Sequence, residues 1–310
     1  MRRRLLFLAI PAAAVIGAAA PSLAAGTGAA GPSLGIAAET LAAASPATSV
    51  GHGQGFVELA AVSYGPDPAE LLDAYLPEPA AAAPRPAVIV IHGGGWQSGS
   101  RTDMASEAQA LARAGLVAVN VDYPLDADAG RGFPQELADV EAAVAWVHSH
   151  ATVLHVDPSR IGALGASAGG NLAMELGAAD QVAAVVSWSG PTELVAYEEA
   201  PYSPCTQPAC GALSLSYAVY HYLGCLPSAC PGLYAAASPG THLTGTHAAY
   251  MVWNSSDELV PLSQADGFVA AARRAGLLVQ EHLVPGHLHA AQYEARALAG
   301  SVRFLAAQLG

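Results

Sequence analysis

From residue 56 onward, short apolar blocks alternate with longer stretches in which apolar residues recur every third or fourth position. The block Ala87-Val88-Ile89-Val90-Ile91 is wholly apolar, as expected of a strand buried on both faces of a parallel sheet. Residues 116–121, 160–164, 182–188, 248–253 and 277–283 read as further strands. Between them, 107–114, 133–150, 168–176, 262–275 and 290–309 carry the helical period. In 133–150 it runs through Leu137, Val140, Val144 and Val147, and Gly115 ends the helix before it. Residues 57–64 and 71–76 read as a strand pair around the turn cluster Gly65-Pro66-Asp67-Pro68. Strands alternating with helices predict an α/β fold, a mainly parallel sheet with helices on both faces.

The pattern fails in two places. Residues 25–55 are Ala, Gly, Ser, Thr and Pro with few large apolar side chains, which predicts a flexible leader with order starting near Phe56. From 191 to about 247 the alternation stops, and Pro, Tyr and all four cysteines appear. Residues 191–240 are expected to be a lid-like insertion in a domain spanning 56–310. Its tyrosines, among them Tyr197, Tyr202, Tyr217, Tyr220, Tyr222 and Tyr234, either pack that insertion or line an aromatic acceptor site.

The N-terminus is expected to be a signal peptide. Arg2, Arg3 and Arg4 precede an apolar stretch from Leu5 to about Ala20, and Ser22-Leu23-Ala24 offers small residues for cleavage near Ala24. Pro11 and Gly17 interrupt a run already short for a membrane span. No Cys follows it, so neither a lipid nor a stable membrane anchor is expected. The expected destination is extracellular. There Cys205, Cys210, Cys225 and Cys230, two C-x4-C pairs, read as local disulfides Cys205–Cys210 and Cys225–Cys230 rather than a four-Cys zinc site. The formal charge of −13 becomes −16 once the three leading arginines are removed. All 12 basic residues are Arg. Such a balance argues against nucleic acid or an anionic membrane surface as partner.

The candidate chemistry sits at strand ends. Gly165-Ala166-Ser167-Ala168-Gly169 is a G-x-S-x-G run following an apolar strand and opening a helix. That context holds a serine on a tight bend with its hydroxyl exposed, a candidate nucleophile. Gly31-Pro32-Ser33-Leu34-Gly35 has the same pattern but lacks the preceding strand. After the strand ending at Ile91 comes His92-Gly93-Gly94-Gly95-Trp96. Its glycines let backbone N–H groups approach a developing oxyanion, with Gly94, Gly95 and Ala168 as candidate donors. His92 reads as a structural loop residue. Asp257 follows the strand at 248–253 and is the candidate acid, with Glu258 beside it as the alternative. Pro285-Gly286-His287-Leu288-His289 follows the last strand, and the residues alone leave His287 and His289 both open as the base. The chain order Ser, Asp, His suits this arrangement.

The runs HGGGW, DPSRIGALGASAGG, SSDELVP and PGHLHA, with VNVDYPL and FPQELADVEAAVAWV between them, resemble the α/β-hydrolase esterases of the hormone-sensitive-lipase-like and bacterial feruloyl-esterase-like groups. The resemblance extends from about Val57 to the C-terminus. It implies the α/β-hydrolase fold and an ester hydrolase acting through an acyl-enzyme, on a small-molecule or polymer-linked ester. Its G-x-x-H pattern places the base at His289, active as a neutral imidazole. No metal or organic cofactor is implied. Two features depart from the family: Pro124 stands where Arg commonly follows Tyr, and the Cys-rich stretch from Pro191 to Pro239 is unusual. A peptidase or amidase of the same fold, or a secreted binding protein that keeps the fold without turnover, are the rival readings.

Overall fold

The apolar blocks become the strands of one nine-stranded sheet in the computed structural model, which describes residues 48–125, 132–197, 215–256 and 259–310. In chain order these are β1 (Ser49–Gly53), β2 (Phe56–Ser63), β3 (Leu71–Pro77), β4 (Arg85–Ile91), β5 (Val117–Val121), β6 (Val156–Ala166), β7 (Ala184–Trp188), β8 (Ala249–Ser255) and β9 (Val279–Val284). Across the sheet they lie in the order β1-β2-β3-β5-β4-β6-β7-β8-β9. The first three form an antiparallel meander, and β3 is antiparallel to β5. From β5 through β9 every pairing is parallel. The strands β5, β7 and β8 are buried at every residue, which explains why they read as continuous apolar runs.

Seven helices complete the described fold: α1 (Ala105–Arg113), α2 (Gln135–Leu154), α3 (Ala168–Ala178), α4 (Leu215–Leu223), α5 (Pro231–Ala236), α6 (Leu262–Arg274) and α7 (Glu294–Leu309). One sheet face packs against Val140, Val144 and Val147 of α2, Leu172 and Leu176 of α3, and Phe268 of α6. The other packs against Ala108 and Leu111 of α1 and Phe304 and Leu305 of α7. Because the parallel strands share one direction, the residues following β4, β6, β7, β8 and β9 all emerge along one sheet edge, where open α/β sheets place ligands.

One sequence expectation changes. Ser49–Gly53 falls in the stretch read as leader, yet it pairs antiparallel with β2, so order begins before Phe56. Its Ser, Gly and His residues carry no strand signal, and the ladder offered by β2 supplies what propensity does not. The described part of the insertion also contributes to the core. Leu215, Ala218, Val219, Tyr222 and Leu223 of α4 are buried in the main core, as is Tyr234 of α5. Tyr222 and Tyr234 are therefore core residues, whereas Tyr217 is 40% exposed. A disulfide joins Cys225 to Cys230 across the α4–α5 turn, which removes two of the thiolates a zinc site would need. Cys205 and Cys210 lie outside the described residues, as do the expected signal peptide and most of the leader.

Candidate active site

Ser167 stands between β6 and α3 with φ 53° and ψ −120°, a region a non-glycine residue occupies only under constraint. The constraint is visible on both sides. The Ser167 N–H donates to the Trp188 carbonyl at 2.8 Å, and its own carbonyl accepts the Asn171 N–H at 3.1 Å. The helix beginning at Ala168 sits directly against the end of β4. A Cβ on Gly169 would lie 2.2 Å from the Ile91 carbonyl oxygen, so only glycine allows this approach. As the first residue of α3, Ala168 has an N–H without an intrahelical acceptor, at the positive end of the helix dipole.

The glycine loop passes beside the serine. A Cβ on Gly93 would meet the Ala166 carbonyl at 2.8 Å and the Ser167 Cβ at 3.1 Å. The Gly94 carbonyl accepts the N–H groups of Gln97 and Ser98, both at 3.2 Å, and the Ser98 hydroxyl at 3.0 Å. In a trans peptide N–H and C=O point in opposite directions, so the Gly95 N–H faces away from that turn. Gly93, Gly94 and Gly95 line a cavity of about 480 Å³ together with Ser98, Gly99, Asp103, Met104, Ala166, Ser167, Leu259, His289, Ala290 and Ala291. No described residue of the insertion lines it.

The structure brings His289 to the serine, with Nε2 2.9 Å from Ser167 Oγ. His287 goes elsewhere: its Nδ1 lies 2.5 Å from the Ser256 carbonyl oxygen, at the exposed surface. Two strand ends hold the His289 loop. Ser255 Oγ, at the end of β8, donates to the Leu288 carbonyl and accepts the Leu288 N–H at 3.1 Å. Ser189 Oγ, just past β7, accepts the Ala290 N–H at 3.3 Å and lies 2.8 Å from the Tyr293 hydroxyl. The Tyr293 hydroxyl donates to the Trp253 carbonyl at 3.0 Å. The His289 N–H is taken by Gln292 Oε1 at 2.8 Å. Asp257 and Glu258, the candidate acids, lie outside the described residues.

His92 is buried, and its ring stacks on Tyr123 at 4.4 Å, so it supports the loop from below and does not face the cavity. Burial pushes its pKa below the ordinary imidazole value, outweighing the hydrogen bond to the Gly93 carbonyl. The unfolded chain therefore binds a proton that folded His92 resists, and this contribution to stability is present above about pH 6.5 and lost as pH falls. The stability advantage of wild type over His92→Asn is expected to shrink from about pH 7 to about pH 5, measured by urea titration at each pH. An advantage that grows in acid would contradict the sign.

The chain matches the BD-FAE family over residues 72–271, more than half its length. It belongs to the BD-FAE family. Esterase LipC of Mycobacterium tuberculosis is 33% identical over 118 residues, 38% of this chain and 29% of that protein. Esterase LipQ of the same organism is 27% identical over 231 residues, 69% of this chain and 52% of that protein. The matches thus span about half or less of these curated relatives. Among solved structures, a truncated carbohydrate esterase from gut microbiota superposes with a TM-score of 0.68 at 24% identity, covering 81% of this chain and 96% of that one. Butyrate-bound esterase 2 of Thermogutta terrifontis gives 0.63 at 23% identity, covering 84% and 94%. At such identity the likeness is one of fold, and the fold is that of the α/β-hydrolase esterases.

Several residues around this candidate site escaped sequence reasoning. Arg101 anchors the far side of the glycine loop. Its Nε lies 2.8 Å from Asp73 Oδ1, its guanidinium also pairs with Asp122, and its N–H donates to Asp122 Oδ1 at 2.6 Å. Asn120 Nδ2 donates to the Arg101 carbonyl at 2.5 Å. This cluster places the turn Arg101–Met104, which lends Asp103 and Met104 to the cavity wall. A signal existed, because Asn120 and Asp122 are polar residues at and just after a buried apolar strand. Ser189, Ser255 and Tyr293 carry no comparable signal.

Proposed function

We propose that this chain is a secreted serine hydrolase that cleaves carboxylic esters, with Ser167 as nucleophile and His289 as base. The observation supporting this most is the 2.9 Å approach of His289 Nε2 to Ser167 Oγ on a bend between strand and helix, beside a glycine loop. Ser167 Oγ attacks the ester carbonyl carbon as His289 Nε2 takes its proton. The carbonyl oxygen becomes an oxyanion held by the N–H groups of Gly94, Gly95 and Ala168. The C–O bond breaks, and the departing alkoxide takes the proton from His289. Water, activated by the same imidazole, then hydrolyses the acyl-enzyme. Asp257 orients the imidazole and stabilises its cation in this reading. Export through a signal peptide cleaved near Ala24 fits the Cys225–Cys230 disulfide. Among the described residues no helix is long and apolar enough to cross a membrane.

The test uses the protein without residues 1–24, a p-nitrophenyl ester series from acetate to palmitate, peptide and amide substrates, and a fluorophosphonate probe located by peptide mapping. Ester turnover with the adduct on Ser167 is the expected result. A folded protein that turns over no ester and takes no label would overturn the reading. Turnover of amides in preference to esters would redirect it to a peptidase or amidase.

A further inference from the structure

The glycine loop contains a strained residue whose support comes from the insertion. Gly94 to Gln97 is a tight turn closed by the Gln97 N–H to Gly94 carbonyl bond. Its two central residues, Gly95 and Trp96, have φ 61° and 60°, positive at both positions as in a type I′ turn. Gly95 adopts this freely. Trp96 is bulky, and such a residue stays left-handed only where its surroundings over-determine it.

One ring stands out among those surroundings. Trp96 is fully buried and stacks on Tyr222 of α4, with centroids 4.1 Å apart and planes 5° from parallel. Among the described residues neither Trp96 Nε1 nor the Tyr222 hydroxyl has a hydrogen-bond partner, so the contact between them is one of ring packing. Tyr222 is itself clamped. Phe133 meets it edge-on at 5.8 Å, and its carbonyl accepts the Phe133 N–H at 2.7 Å. Beyond it, the Cys225–Cys230 bridge closes the α4–α5 turn, and the Tyr234 hydroxyl donates to the Cys225 carbonyl at 2.9 Å.

We propose that Tyr222 is a positioning residue for the oxyanion hole, its ring holding Trp96 left-handed and thereby setting the direction of the Gly95 N–H. The insertion then acts as a buttress under the loop. This rests on the ester-hydrolysis reading above, because only that reading gives the Gly95 N–H an oxyanion to bind. Without the stack, Trp96 relaxes toward negative φ and the turn that orients its neighbour opens. Substrate binding depends little on this donor, while the charged tetrahedral state depends on it strongly.

The experiment compares wild type, Tyr222→Leu and Tyr222→Phe in p-nitrophenyl acetate turnover and in inhibition by an aryl trifluoromethyl ketone. Ser167 Oγ adds to that ketone's carbonyl carbon, its proton passes to His289, and the ketone oxygen becomes the oxyanion. For Tyr222→Leu, kcat is expected to fall about 10- to 100-fold, part of what losing a whole donor costs. KM should stay within about threefold, and the ketone's Ki should rise by the same factor as kcat falls. Tyr222→Phe keeps the stack and should match wild type within about threefold. Ki does not depend on the amount of folded enzyme, so partial unfolding cannot imitate the effect. Should Tyr222→Leu fail to fold, Tyr222→Met answers the same question by the same readings. Unchanged kcat and Ki, a fall in kcat without a rise in Ki, or a Tyr222→Phe as impaired as Tyr222→Leu would each overturn the proposal. A folded wild type that neither turns over esters nor binds the ketone overturns the ester-hydrolysis reading, and this proposal with it.

Discussion

Ser167→Ala is expected to lower kcat for p-nitrophenyl acetate by at least about 10³-fold with little change in KM. The reason is the division of labour in acyl transfer: the oxyanion donors and the binding surface survive the substitution, but no acyl-enzyme can form. A residual rate above that of water is expected from those survivors. Stability separates this from a folding defect. Ser167 has φ 53°, and alanine inherits that conformation without relief, so Ser167→Ala should unfold near the wild-type midpoint. Ser167→Gly should be equally inactive and more stable than Ser167→Ala by about 1 kcal/mol, because glycine occupies this region without the steric cost. Steady-state kinetics with thermal unfolding of the three proteins checks both statements. A Ser167→Ala protein retaining more than about a tenth of wild-type kcat would show that another group carries the reaction.

His289→Gln is expected to cost kcat a similar factor, at least about 10³-fold, whereas His287→Ala should stay within about threefold of wild type. Only the His289 imidazole reaches Ser167, while His287 faces the Ser256 carbonyl at the surface. The His289 backbone bond to Gln292 does not involve its ring, so the loop should survive the substitution. Fluorophosphonate labelling should slow in parallel with kcat for His289→Gln, because the serine then lacks its base. Should His287→Ala be the inactive protein, the loop would have to turn over in solution and the assignment would reverse.

The two histidines mark where residue patterns stop and only the family resemblance, which favours His289, goes further. They stand two residues apart in PGHLHA, and periodicity cannot separate them, because the segment after β9 is neither helix nor strand. What separates them is the path of the loop, set by Ser255 on Leu288 and by Ser189 on Ala290. Both contacts join chain segments far apart in sequence. The same holds for Arg101, whose partners are Asp73 on β3 and Asp122 just past β5. Ser49–Gly53 was invisible for a related reason, since it is a strand only because β2 lies beside it.

Local patterns determined the rest. Wholly apolar blocks of strand length can be satisfied only in a sheet covered on both faces, so the α/β order was legible from residue 56 on. The bend at Ser167 and the glycine loop were legible because close backbone approach demands small residues, and that demand is written in consecutive positions. The family, too, could be recognised from those runs. Tertiary structure alone decided that α4 of the insertion packs in the core and that Tyr222 lies on Trp96, and it alone shows the loop path that carries His289 to the serine. Each is a contact between segments remote in the chain, and its free energy depends on relative position in space, which no short run of sequence encodes.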